Sequence, residues 1–192
     1  MKMRNWFAGK RRKFSSEMRK SNIDHIIQMM HDNLQFPDSL ATMSDAMLYN
    51  ESEKKIIYEI TQLQGAVEKD CYGRNLLMYA VLYKQHNVVQ YLLEQDVDVN
   101  QQDNEGYTAL HYAVQTNDIG SVCMLLKTGA IVDRCDFHGN TAMMKGNLVT
   151  NPEIFCILLK YGADPHHKNE YGITPVDMYS SSTEISSVLE NI

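Results

Sequence analysis

From Asp70 onward the chain repeats itself every 33 residues without an insertion. Asn75, Thr108, Thr141 and Thr174 form one column of the repeat. Gly73, Gly106, Gly139 and Gly172 stand two positions before it, and Asp70, Asp103, Asp136 and Asn169 stand five before it. Ala80, Ala113, Gly146 and Tyr179 stand five positions after the column. Leucine pairs follow in three units: Leu92-Leu93, Leu125-Leu126 and Leu158-Leu159. A unit of this length cannot bury its apolar face alone. A regular period therefore implies stacked units that share a continuous core.

The residue types fix the local geometry of each unit. Glycine two positions before the column suits a tight turn with positive φ. The threonines are N-cap residues, and Pro175 takes the first helical position, where no amide hydrogen is missed. A short first helix is expected to run to about residue 84, with Leu77, Ala80 and Val81 inward. A second helix carries Val88, Val89, Leu92 and Leu93 at helical spacing. The small residues Ala80, Ala113 and Gly146 mark close approach between neighbouring helices. Gly146 replaces the alanine of the two preceding units, which fits either an ordinary helix interior or an irregular first helix, and Pro152 points to a distorted connection at 147–151.

This column pattern resembles the ankyrin repeat, D-x-x-G-x-T-P-L-H-x-A followed by a second helix ending near L-L-x-x-G-A. The second unit matches best, from Asp103 through Gly106, Thr108, Leu110, His111 and Ala113 to Leu125-Leu126-Lys127-Thr128-Gly129-Ala130. The third keeps Asp136, Gly139, Thr141 and Leu158-Leu159-Lys160-Tyr161-Gly162-Ala163. The first has Asn75 for the threonine and Asp96 for the later glycine. The fourth keeps Tyr171-Gly172-Ile173-Thr174-Pro175 and runs to Ile192. The resemblance implies an all-α solenoid of helix pairs joined by short β-hairpin loops, with units at 70–102, 103–135, 136–168 and a C-terminal cap at 169–192.

The first 69 residues fall outside this register. Residues 1–14 form a basic arm of charge +6 that contains Lys10, Arg11, Arg12 and Lys13 and no acid. Such an arm is expected to be disordered. Its basic cluster resembles a short nuclear-import signal, and Trp6, Phe7 and Phe14 could enter an anionic membrane surface. Residues 15–69 are expected to be helical and include a degenerate repeat, giving the array an N-terminal helical cap. Residues 15–69 carry a charge of −4 and 70–192 a charge of −8, within a net charge of −6.

A 44% apolar, 22% charged composition is that of a globular chain. No apolar run reaches the roughly 18 residues of a membrane span, and the start lacks a secretory apolar segment. Cys71, Cys123, Cys135 and Cys156 show no C-x-x-C pairing. Cys123 and Cys156 share a column in units expected to lie roughly 10 Å apart, too far for a disulfide. Reduced thiols in an intracellular compartment, cytoplasmic or nuclear, are the expectation. The chain contains no phosphate-binding loop, dinucleotide fingerprint, H-E-x-x-H or nucleophile elbow. Ser52-Glu53-Lys54-Lys55 matches S-x-x-K without its companion motifs. His111 fills a structural column, and His138, His166 and His167 lack a fourth metal ligand. Asn100 resembles a loop position that asparaginyl hydroxylases modify in ankyrin proteins, although loop capping is the expected role. No catalytic residue, cofactor or metal is expected.

Binding is the function class that remains. The resemblance assigns contact roles to the loop fingers and to the adjoining side of the first helices. Partner-binding residues are expected to be Tyr72, Arg74, Asn104, Glu105, Tyr107, Gln115, Thr116, Phe137, His138 and Asn140. Cys71, Glu170, Tyr171, Ile173, Leu82, Tyr83, Leu148 and Val149 occupy equivalent columns. Aromatics are enriched in interface hot spots, and the alternative for Tyr72, Tyr107, Phe137 and Tyr171 is mutual stacking. The acidic array favours a protein partner with a basic surface, met by a monomer. In the alternative reading, the arm at Lys10–Lys13 binds anionic membrane or nucleic acid and the array is its scaffold.

Overall fold

The computed structural model describes residues 69–95, 97–146, 151–180 and 182–189. The basic arm, the helices expected before residue 69, Leu148 and Val149 lie outside them. Among the described residues the regular structure is entirely helical, with no strand. None of these helices is long and apolar enough to cross a membrane.

The helices come in pairs. In the first unit, α1 is Leu76–Leu82 and α2 is His86–Leu93; in the second, α3 is Ala109–Gln115 and α4 is Ile119–Lys127. The third unit has a 3-10 turn, Ala142–Met144, followed by α5, Pro152–Lys160. The fourth has α6, Pro175–Tyr179, and α7, Thr183–Leu189. Each unit packs on the next in two rows. The first row is α1, α3, the 3-10 turn and α6; the second is α2, α4, α5 and α7. The core lies between and within the rows, with Leu77, Ala80, Val88, Val89, Leu110, Ala113, Val122, Leu125, Met143, Ile154, Phe155 and Leu158 all buried.

Caps set where each helix begins and ends. Asn75 Oδ1 accepts the Met78 amide at 2.9 Å, satisfying one free donor of α1. At α3 the His111 ring takes the place of an acidic capping partner: Nδ1 accepts the Thr108 amide at 3.1 Å. At α6, Thr174 and Asp177 exchange bonds in a capping box. Gly129 and Gly162 close α4 and α5 with φ of +94° and +89°. Lys84 and Asn117 end α1 and α3 at φ 55°.

The third unit departs from the others. Among the described residues its first helix is a 3-10 turn, in which the Met144 amide bonds the Thr141 carbonyl at 3.0 Å. The Thr141 hydroxyl is therefore left buried without a partner. Tyr179, from the next unit, compensates for the shortened helix. Its buried hydroxyl donates to the Met143 and Gly146 carbonyls at 3.0 and 2.5 Å. Its ring meets Phe155 edge-on at 6.0 Å. A residue larger than the alanine of the first two units thus packs against the 3-10 turn of the third.

Candidate functional site

The loops ahead of the first helices share one construction. In each, the amide of the glycine bonds the carbonyl three residues back, closing a turn over Asp70–Gly73, Asp103–Gly106, Asp136–Gly139 and Asn169–Gly172. Glycine is required there because φ runs from +74° to +82°. One side-chain oxygen of the Asp or Asn accepts the amides two and four residues on, at 2.8–3.0 Å in all four units. The expected β-hairpins are reduced to these turns, because carboxylate and amide oxygens bind the amides that a strand ladder would use.

The turns are joined tip to tip by single backbone bonds in strict register. Asn104 N–H donates to the Tyr72 carbonyl at 2.8 Å, Phe137 N–H to Glu105 at 3.2 Å, and Glu170 N–H to His138 at 3.1 Å. Gly106 makes one of these joints possible, since a Cβ there would lie 2.7 Å from the Phe137 nitrogen.

The second oxygen of each aspartate binds the residue four positions after the capping column. Asp70 Oδ2 accepts from the Tyr79 hydroxyl at 2.7 Å and Arg74 Nε at 2.9 Å. Asp103 Oδ2 accepts from the Tyr112 hydroxyl at 2.6 Å. Asp136 Oδ2 meets the Lys145 ammonium at 2.5 Å. In the fourth unit the same two positions are Asn169 and Met178, so carboxylate and donor are lost together. Burial first, then the acceptor carboxylates, push the phenols of Tyr79 and Tyr112 up, with Arg74 opposing. Burial alone would raise Asp136. Bonds from Lys145, Asn140 and two backbone amides override it and hold the carboxyl at about 2.

These contacts divide the expected binding residues. Asn104, Glu105, Gln115, Phe137 and His138 are exposed, and Phe137 shows 62% of its surface. Tyr72, Tyr107, Thr116 and Asn140 are half-buried. Arg74 is buried, ion-paired to Asp70 and stacked between the rings of Tyr72 and Tyr79 at 4.6 and 5.1 Å. It is a structural cation, because a charge held by a carboxylate and two rings is not free for a partner. Tyr107 is also engaged internally: on His111 at 5.5 Å, edge-on to Tyr112 at 5.7 Å, and under the Lys145 ammonium at 4.6 Å. Thr116 bonds the Tyr112 carbonyl and Asn140 bonds Asp136. The tip aromatics do not form one stack; His138 and Tyr171, which share a column, lie 6.5 Å apart. The Lys10–Lys13 cluster lies outside the described residues.

Other polar residues serve the joints between units. Asn100 bridges loops, accepting the Ile131 amide at 2.7 Å and donating to the Gly129 carbonyl at 3.2 Å. His167 turns to the Gly139 carbonyl at 3.0 Å and Cys135 Sγ at 3.4 Å, while His138 lies beside Glu170. Among the described residues no three His, Cys, Asp or Glu side chains form a metal-binding group. All four cysteines are free thiols.

Stacked helix pairs with turns bonded tip to tip define a helical repeat architecture. Residues 76–126 match the family model for ankyrin repeats (many copies). Over that stretch the chain is similar to ankyrin repeats. No curated protein matches the chain. Ankyrin repeats generally mediate protein–protein interaction and are typically non-catalytic.

Proposed function

We propose that this protein is a non-catalytic binding module, an adaptor, inhibitor or targeting subunit. It meets another protein through its turn tips and the adjoining concave face of the first helices. In this reading the array is a solenoid, residues 15–69 cap its first unit, and the molecule acts as a monomer in a reducing compartment, cytoplasmic or nuclear. The carrying observation is the bonded row of tips. The joints fix Asn104, Glu105, Phe137 and His138 in register while leaving their side chains exposed. A preformed row of this kind spares a partner the entropy of ordering loops. The two cations of the row, Arg74 and Lys145, are paired with Asp70 and Asp136. The tip acids Glu105 and Glu170 remain exposed, which favours a basic partner surface.

The test begins with affinity capture from the native cell, comparing the intact chain with one lacking residues 1–14. Phe137→Ala should weaken the captured partner by about 1 kcal/mol or more while the denaturant midpoint barely moves. Glu105→Lys should slow association. Tyr107→Ala should lower stability, because its ring is packed internally. Normal binding by both tip variants, with loss on removal of residues 1–14 and a steep salt dependence, would assign binding to the basic arm instead.

A further inference from the structure

The row of turns builds the same three-part contact twice. Arg74 lies over the Tyr72 ring at 4.6 Å and pairs with Asp70 at 2.9 Å. Lys145 lies over the Tyr107 ring at 4.6 Å and pairs with Asp136 at 2.5 Å. Each contact is an aromatic face, a carboxylate and the cation that joins them. The third tip has the face and the carboxylate without the cation. Phe137 is 62% exposed, and among the described residues no cation covers its ring and no other ring stacks on it. Units stand on both sides of this tip, so its exposure is not that of a chain end. The Phe137 amide bonds the Glu105 carbonyl at 3.2 Å, which sets the two residues side by side. The Glu105 side chain is exposed and, among the described residues, forms no ion pair.

The fold gives the Phe137 ring no task. Asn104, in the same column one repeat earlier, uses its side chain to close a joint, donating to the Cys71 carbonyl at 2.9 Å. The joint at Phe137 closes through the backbone alone. The other charges around the tip are answered locally. Glu170 faces His138 at 3.9 Å. Arg134 stands ahead of the turn, where its Nε donates to Gln102 at 3.0 Å. Lys168, ahead of the fourth turn, acts on Asp177. Glu105 is the carboxylate left over.

Resting on the protein-binding reading above, we infer that the third tip is a docking site for an arginine side chain on a partner protein. The guanidinium lies flat on the Phe137 ring and turns its N–H edge to the Glu105 carboxylate. Arginine suits the site better than lysine, because a planar, weakly hydrated guanidinium stacks on a ring and still presents a fork of donors. The chain's own Arg74 shows this arrangement in filled form, with rings on its faces and Asp70 on its edge. An apolar side chain would cover the ring and leave Glu105 unanswered.

The probe is a capped glycine–serine peptide with one central arginine, compared with versions carrying lysine, citrulline or norleucine instead. Each is titrated into the full chain up to roughly 10 mM, and amide and aromatic-ring NMR shifts are followed. An exposed cation–π contact is worth about two- to fivefold in affinity, and an exposed ion pair up to a similar factor. The arginine peptide should therefore move the Phe137 ring and the Glu105 amide. The lysine peptide should bind at least about twofold more weakly, and the citrulline and norleucine peptides at least about fivefold. Phe137→Leu keeps an apolar side chain and removes the ring face; Glu105→Gln keeps the shape and removes the charge. Each should weaken the arginine peptide at least about twofold. Melting temperatures should hold, because both side chains are exposed. Equal binding by any of the three other peptides, arginine binding that survives either variant, shifts centred on Glu170 or Asp177, or no shift at all overturns the inference. If the captured partner is weakened by Phe137→Ala but ignores Phe137→Leu and Glu105→Gln, the tip takes an apolar side chain. The inference then fails and the protein-binding reading stands. If the arginine peptide maps to Phe137 and Glu105 while the captured partner ignores every tip variant, the arginine site stands and the reading that the tips carry the partner fails.

Discussion

Replacing Asp136 with asparagine separates an ion pair from the turn that contains it. Asn169 shows what an amide does at this position, since its Oδ1 accepts the Tyr171 and Ile173 amides at 3.0 Å each. The turn should therefore survive in Asp136→Asn, while Lys145 loses the carboxylate that faces its ammonium at 2.5 Å. Holding that carboxyl at about 2 rather than 3.8 corresponds to about 2 kcal/mol at neutral pH. Stranding a fully buried charge costs about 3–5 kcal/mol, and the Lys145 side chain is 16% exposed. A loss of about 2–3 kcal/mol follows from both considerations. Asp136→Asn with Lys145→Met recreates the Asn169–Met178 pairing of the fourth unit. It should recover at least about 1 kcal/mol, since no charge is then stranded. Urea unfolding of all four species closes a double-mutant cycle. A folded pKa below the unfolded one gives stability that is complete above about 3.8 and disappears as pH falls towards 2. The gap between the parent and Asp136→Asn should narrow over that interval. A single variant within about 0.5 kcal/mol of the parent, or a double variant no more stable than the single, would refute the reasoning.

Two further outcomes test the turns and caps. Burial lowers the His111 pKa, so below about 6.5 the unfolded chain binds more protons than the fold does. Stability should therefore fall on acidification through that range, and His111→Gln should flatten this part of a melting-temperature profile. Gly106→Ala should cost at least about 1 kcal/mol more than Gly129→Ala in denaturant midpoints. Both residues have positive φ, which costs a side chain about 1–2 kcal/mol. Only at Gly106 would the new Cβ meet backbone, 2.7 Å from the Phe137 nitrogen.

The parts of the fold legible in the sequence were those set by local chemistry at a fixed period. The four turn glycines have positive φ, Asn75, Thr108, Thr141 and Thr174 precede the first helices, and Pro175 opens α6. Gly146 in a column of alanines left the third unit open between an ordinary and an irregular first helix; the bonds that Tyr179 makes across to that unit were not legible. The site was less legible, because exposure depends on partners 4, 5 or 38 residues away. Arg74 and Tyr107 stand in contact columns, yet Asp70 and Tyr79 bury one, and His111 and Lys145 cover the other. A signal was present in the column four residues past the cap. Tyr79, Tyr112 and Lys145 are all donors facing an aspartate, and Met178 appears where the aspartate has become Asn169.

The Tyr179 bonds also bear on how the array comes apart. In a linear repeat, each unit is held by its own folding and by its two junctions. The third unit contributes least on its own, with a single 3-10 turn where its neighbours have helices. Two of its carbonyls, at Met143 and Gly146, are satisfied by a hydroxyl from the fourth unit. The fourth unit therefore cannot fray without leaving backbone acceptors of the third unpaired in the core. The two units are expected to open as one cooperative block, a single foldon, while each of the first two pairs retains its own complete helices.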